Sequence, residues 1–241
     1  MAPAAPAPVP APSSAPTVVA LLLVRLRSGA VLWGLSRLVL GVLGLRRPTG
    51  MRFARVLGSG RSGGFGVVPS LHHQGVIAFF DDEVNARRFI DESPVVRAYR
   101  RHADECLVAV LRPTSSRGSW GGTQLAASTG AAADGPVATL TRASIRPRHA
   151  STFWRHSPAT EESLSAAAGC RLAVGLGEAP LLRQATFSVW DDAGAVDAYA
   201  RRGAHRAAAA SAWRQNWFSE SMFVRMVPLV LRGSWHGRAF G

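Results

Sequence analysis

The tetrapeptide Arg-Gly-Ser-Trp occurs twice, at Arg117–Trp120 and Arg232–Trp235, each time after an apolar run and with Gly121 or Gly237 close behind. Upstream of each copy the likeness continues. Val76-Ile77-Ala78-Phe79-Phe80-Asp81-Asp82 matches Thr186-Phe187-Ser188-Val189-Trp190-Asp191-Asp192. Arg55-Val56-Leu57-Gly58 matches Ala173-Val174-Leu176-Gly177, and Val18–Arg27 matches Val137–Arg146. Self-similarity at a long period is the mark of one structural unit written twice. Two copies share a core, but the chemistry can be kept in one of them.

Each copy carries the same order of elements. In the first, Val18–Arg27 is strand-like and Gly29–Leu45 helical, stopped by Arg46, Arg47 and Pro48. Arg52–Gly58 and Gln74–Phe80 are strands around a Gly-rich loop, Asp82–His102 is helical with a break at Pro94, and Glu105–Arg112 is a strand. The second repeats this with strands at Val137–Arg146, Arg171–Leu176, Gln184–Trp190 and Met222–Arg232, and helices at Arg148–Ala168 and Asp191–Trp213. The expected fold is α+β, two tandem ferredoxin-like β-α-β-β-α-β repeats whose open sheet faces pack together as an α/β barrel. The expected organisation is an Ala/Pro-rich tail over 1–17, a first repeat over 18–120, a Gly/Ala/Ser/Thr linker over 121–135 and a second repeat over 136–241. The tail lacks the basic n-region of a secretory signal.

The net charge of +13 raises the question of nucleic acid. All 28 positive charges are Arg, scattered through both halves, with no helix-turn-helix, zinc finger or aromatic-basic RNA motif. Nucleic-acid binding is not expected, and attraction to anionic lipid is at least as well supported. Cys106 and Cys170 stand far apart with no metal-ligand spacing, which excludes cysteine-built zinc or iron–sulfur sites and fits a reducing, cytoplasmic setting. The Gly29–Leu45 segment is too short to span a membrane, which needs ~20 residues, and Arg37 interrupts it. Flanked by Arg25, Arg27, Arg46 and Arg47, it is expected to cover the barrel sheet, with contact at the inner face of a membrane as the alternative.

Gly58-Ser59-Gly60-Arg61-Ser62-Gly63 fits a dinucleotide-type glycine pattern, with Asp81 about twenty residues on. That pattern needs a helix directly after the glycines, and Gly64-Phe65-Gly66-Val67-Val68-Pro69 cannot begin one. The Asp-Asp pair recurs at Asp191-Asp192, so it belongs to a strand-to-helix junction common to both copies. Among the histidines, His205 stands apart. Its first-half counterpart is Val95, and a residue confined to one copy is where chemistry would be kept. A satisfied surface histidine is the plain alternative. His72, His73, His102, His149, His156 and His236 have no partner at ligand spacing.

Val137–Pro147, Phe153-Trp154 and above all Gly175–Trp190 resemble the spheroidene monooxygenase family, as do Trp217-Phe218-Ser219-Glu220, Gly233-Ser234-Trp235, Arg52-Phe53-Ala54-Arg55, Leu57–Gly60 and Gly63–Gly66. The resemblance spans about residues 17–237. It implies a duplicated dimeric α/β-barrel fold and a haem-dependent, iron-containing monooxygenase. Such an enzyme introduces a keto group, through a hydroxyl, into an acyclic carotenoid such as spheroidene. It uses O2 and electrons from an external donor, a ferredoxin by analogy. In the wider haem-binding group the iron ligand is a His on the helix after the Trp-ended strand, which places His205 as metal and cofactor ligand. Arg183 and Gln184 become donors to dioxygen or a haem propionate, and Phe153, Trp154 and Trp190 a wall for the polyene. For these aromatics plain barrel core is the competing role. The alternatives are a related barrel oxygenase acting on another lipophilic substrate and a non-catalytic barrel that binds haem or a hydrophobic ligand.

Overall fold

A computed structural model describes residues 17–41, 47–128, 134–179, 181–201 and 203–241, apart from the side chains of 179, 203–205, 208 and 209. The tail through 16, Arg46, the middle of the expected linker and the side chain of His205 therefore lie outside the described residues. The first half comprises β1 (Val18–Leu26), α1 (Val31–Leu40), β2 (Met51–Gly60), β3 (Pro69–Phe80), α2 (Glu83–Glu92), α3 (Pro94–His102) and β4 (Ala103–Gly118). The second comprises β5 (Val137–Ile145), α4 (Ala150–Ser165), β6 (Cys170–Ala179), β7 (Arg183–Trp190), α5 (Ala193–Ala200), α6 (Gly203–Arg214) and β8 (Phe218–Trp235), followed by a short β9 (Arg238–Phe240).

The strand order is β4-β1-β3-β2 in the first half and β8-β5-β7-β6 in the second, with every pairing antiparallel. The two sheets form one barrel, their inner faces sharing a single core. They join edge to edge, through Gly58 opposite Gly177 on β2 and β6, and through a long β4–β8 seam running from Leu107 opposite Gly233 to Gly118 opposite Met222. Strands β1–β8 thus close into one antiparallel barrel, and closure removes the exposed sheet edges.

Period-two alternation sends one set of side chains inward. Leu21, Leu23, Leu57, Phe79, Leu107, Leu140, Val174, Phe187, Met222 and Met226 fill the barrel, and Trp120 and Trp235 are buried with them. The barrel is a packed core with no open lumen. β1 is apolar on both faces because its outer face is also covered, by helices.

Both copies of Arg-Gly-Ser-Trp end a strand of the long seam, and their glycines are required. Gly118 has φ +83°, and a Cβ there would stand 1.9 Å from the carbonyl oxygen of Ser221 on β8. Gly233 has φ +116°, and its Cβ would stand 2.0 Å from the carbonyl oxygen of Cys106 on β4. Each copy closes against the strand that carries the other. The Asp-Asp junctions correspond as closely. Asp82 accepts from the N–H of Asn85 at the start of α2, and Asp192 from the N–H of Ala195 at the start of α5. Asp81 pairs with Arg52, and Asp191 with Arg171.

The helical stretch expected over Asp82–His102 is two helices. Ser93 is extended at ψ 135° and caps α3, whose first residue is Pro94. A residue before proline is driven out of the helical region, so the split follows from the sequence. β4 and β8 run well past their expected ends at Arg112 and Arg232. Pro113 and Pro228, each lacking a ladder donor, sit where the β4–β8 register shifts, and the pairing resumes beyond them. Helix α1 packs against β2 and β3, with Leu32 82% and Val39 87% exposed, and residues 42–45 of the expected Gly29–Leu45 helix lie outside the described residues. No helix among the described residues is long and apolar enough to cross a membrane.

Candidate functional site

The register places the two halves in residue-by-residue correspondence on the outer sheet face, beneath the helices. In the first half, Val18 faces Phe80, Ala20 faces Ala78, Leu22 faces Val76 and Val24 faces Gln74. In the second, Val137 faces Trp190, Thr139 faces Ser188, Thr141 faces Thr186 and Ala143 faces Gln184. The glutamine is common to both. The four residues Ala20, Leu22, Val76 and Ala78 become four hydroxyl side chains.

What lies above the two faces differs as sharply. In the first half Ala86, Phe89 and Ile90 of α2 and Val96 and Tyr99 of α3 pack into a continuous layer with Ala20, Leu22, Val76, Ala78 and Phe80. In the second half the buried layer shrinks to Val137, Leu164, Trp190 and Val196. The remaining space is a cavity of about 640 Å³ between the sheet and helices α4, α5 and α6. That volume suits a small to medium organic ligand or cofactor.

The floor of the cavity is Thr139, Thr141, Thr186, Ser188 and Gln184, and its walls are mainly aromatic: Phe153, Trp154, Trp190, Trp213, Trp217 and Phe223. Phe153 stands edge-on to Trp154 at 5.3 Å, and the indole N–H of Trp154 donates to the carbonyl oxygen of Leu181 at 3.0 Å. Trp190 donates from Nε1 to Ser188 Oγ at 2.8 Å, and Ser188 Oγ lies 2.7 Å from Thr139 Oγ1. His156 on α4 borders the cavity and stacks on Trp217 at 5.6 Å. Arg117 and Arg225 add cationic side chains, Arg225 being paired with Asp197 of α5. The hydrogen bond from Arg225 leads in holding the Asp197 carboxyl below the usual carboxylate range. Burial pushes the Tyr199 phenol up to about 12, so it is neutral near pH 7. Among the described residues no group of three His, Cys, Asp or Glu side chains could hold a metal ion.

The Gly-rich loop supplies one wall from the other half. After Gly60 the chain makes a single 3-10 turn, Arg61–Gly63, and no helix follows. Ser59 Oγ donates to the carbonyl oxygen of Gly175 at 2.5 Å, and a Cβ on Gly175 would lie 2.4 Å from that of Gly64. The loop thus lies directly against β6. It is tied to α4 by Phe65 N–H donating to Glu161 Oε1 at 3.0 Å and Ser157 Oγ donating to the Phe65 carbonyl at 3.2 Å. Phe65 thereby borders the cavity.

Of the residues singled out in the sequence, Phe153, Trp154, Trp190 and Gln184 all border this cavity, and Arg183 does not. Arg183 and Gln184 are consecutive on β7, and consecutive strand residues point to opposite faces. Arg183, exposed at the start of β7, instead stands at the rim of a small recess lined also by Leu57, Trp120, Arg142, Glu178 and Gln184. There Arg142, 3% exposed, pairs with Glu178 at 3.2 Å and with Glu220 at 2.5 Å. Arg55 and the Trp120 indole also reach Glu178, at 2.6 and 2.9 Å. Burial works against the Glu220 charge. The Gly122 N–H, the Ser119 hydroxyl, the Gly121 N–H and Arg142 outweigh it and hold the carboxyl at about 2. Glu178, within the segment on which the resemblance rests most, therefore serves the barrel core. His205 falls on α6, which borders the cavity through Ala212 and Trp213, and its side chain is outside the described set. The sequence reading missed the hydroxyl floor, although an alignment of the two copies contains it.

No family model matches the chain. It is 52% identical over 224 residues, covering 93% of this chain and 87% of the relative, to a spheroidene monooxygenase of Rubrivivax gelatinosus. It is 35% identical to a spheroidene monooxygenase of Rhodobacter capsulatus over 86% of this chain and 87% of that one. Among solved structures, an aldoxime dehydratase in complex with butyraldoxime superposes with a TM-score of 0.58 at 10% identity, over 90% of this chain and 81% of that one. That likeness is one of fold.

Proposed function

This chain belongs to the spheroidene monooxygenase family, and from that premise we propose that it is a haem-dependent monooxygenase introducing a keto group, through a hydroxyl, into an acyclic carotenoid such as spheroidene. The observation that carries the reading is the cavity of about 640 Å³ over the outer sheet face of the second half, with aromatic walls and a hydroxyl floor. Each turnover would convert one C–H to C–OH, the second oxygen atom of O2 leaving as water with two electrons and two protons from an external donor of the ferredoxin type. A second turnover at the same carbon gives a geminal diol, which loses water to the ketone.

The residue types around the cavity fit haem. On α6, the helix that borders the cavity through Ala212 and Trp213, the imidazole of His205 would hold the iron, while Arg117 and Arg225 would suit propionate carboxylates. When bound, haem supplies the activation of dioxygen. The chain's own part is to hold and shield. Phe153, Trp154, Trp190, Trp213 and Phe65 pack against a polyene and exclude water, and Gln184 places its amide beside the reacting end. Arg183 does not border the cavity, so the donor role falls to Gln184. The matching element order and caps of the two halves support descent from a duplicated ferredoxin-like unit.

The test is spectral and then chemical. Purified protein supplied with haem is expected to show a Soret band that His205→Ala abolishes or shifts, and co-expression with an acyclic carotenoid pathway is expected to yield ketocarotenoids. A haem spectrum unchanged in His205→Ala would remove the ligand assignment. Absence of any oxygenated carotenoid in the presence of a working reductant would remove the activity.

A further inference from the structure

We propose that Trp190, Ser188 and Thr139 form a one-way hydrogen-bond chain ending in a donor aimed into the cavity, a subsite for the hydroxyl or carbonyl oxygen of an oxygenated polyene. The inference rests on the functional reading above. It starts from donor chemistry. An indole N–H can only donate, so Ser188 Oγ, 2.8 Å from Trp190 Nε1, is the acceptor of that bond. Ser188 is 2% exposed and has one hydrogen of its own. Its other hydroxyl partner is Thr139 Oγ1 at 2.7 Å. If Thr139 donated to Ser188, the Ser188 hydrogen would be left without an acceptor among the described contacts on an almost fully buried side chain, whereas Thr139 is half-buried and opens on the cavity. The orientation that wastes no buried donor is Trp190 to Ser188 to Thr139. The Thr139 hydrogen is then left for an acceptor in the cavity that Thr139 borders.

The first half shows that the fold has no need of this chain. Phe80, Ala78 and Ala20 stand at the three corresponding positions, and there the sheet face is sealed by apolar packing. All three polar groups are peculiar to the half with the cavity. A hydrocarbon polyene offers no acceptor to Thr139, whereas its alcohol and ketone do. The chain therefore favours an oxygenated ligand over its hydrocarbon parent. During oxidation it would keep the alcohol of the first turnover in place for the second.

Binding of two short ligands tests this without turnover. Pseudoionone, an acyclic polyene ketone, and the triene hydrocarbon of the same skeleton are titrated against the purified protein, read by quenching of the cavity tryptophans. Wild type is expected to prefer the ketone by about fivefold, the size of one net hydrogen bond. Thr139→Val and Ser188→Ala should abolish the preference and Thr139→Ser retain it, with thermal melts reporting folding. A preference unchanged in Thr139→Val, or absent from wild type, overturns the subsite and leaves the cavity's role standing. Failure of both ligands to bind overturns the subsite together with the functional reading. In carotenoid-producing cells, Thr139→Val is expected to shift product from ketone toward alcohol, and an unshifted ratio counts against retention of the intermediate.

Discussion

Acidification is expected to weaken this fold through one histidine. His73 on β3 is 8% exposed, its Nδ1 2.8 Å from Ser70 Oγ and its ring 5.5 Å from Trp235 and 5.9 Å from His236. Burial first, then the fields of His236, Arg25 and His72, lower its pKa from 6.5 to about 4, against the pull of Glu105. In the unfolded chain the same imidazole takes up its proton near 6.5. Between those two values the unfolded state holds more protons, so stability is lost as the pH is lowered through that window and is fully present above it. The interval from 6.5 to about 4, at ~1.36 kcal/mol per pH unit, corresponds to about 3 kcal/mol. Urea unfolding of wild type and His73→Asn at pH 7 and pH 4.5 isolates the contribution. Wild type should lose most of that amount more than the variant on acidification, whatever the variant's stability at pH 7. Equal losses in the two proteins would refute the assignment of the effect to His73.

At the seam, Gly118→Ala and Gly233→Ala should each cost about 3 kcal/mol or more, because a Cβ meets the opposite strand's backbone in a left-handed conformation. Loss of stability below about 1 kcal/mol in thermal melts would show that the β4–β8 seam can shift to admit it. In the barrel interior, Arg142→Met should cost about 3–5 kcal/mol at pH 7, since it strands the carboxylates of Glu178 and Glu220. Part of that cost should be recovered on adding Glu178→Gln, and a double variant no more stable than Arg142→Met would argue against the pairing.

The architecture was legible because it was written twice. Matching strands, Asp-Asp caps and closing tryptophans recur in the same order, and local rules such as extension before Pro94 set the element ends. The errors lay where distant partners decide. Pro113 looks like a strand end by itself, yet it is accommodated because the opposite strand of the seam continues past it. Glu178 looks like a site residue by its segment, yet Arg55, Arg142 and Trp120, from elsewhere in the chain, draw it into the barrel.

The candidate site divides in the same way. The sequence by itself determined the order of strands and helices, because periodicity and residue type are properties of neighbours in the chain. Only the tertiary structure decided that Gln184 borders the cavity while Arg183 does not, that Phe65 crosses from the other half, and that Thr139, Thr141, Thr186 and Ser188 share one floor. Those facts depend on strand register and on which helix covers which face. A one-residue change of register would send every one of these side chains to the opposite side of the sheet.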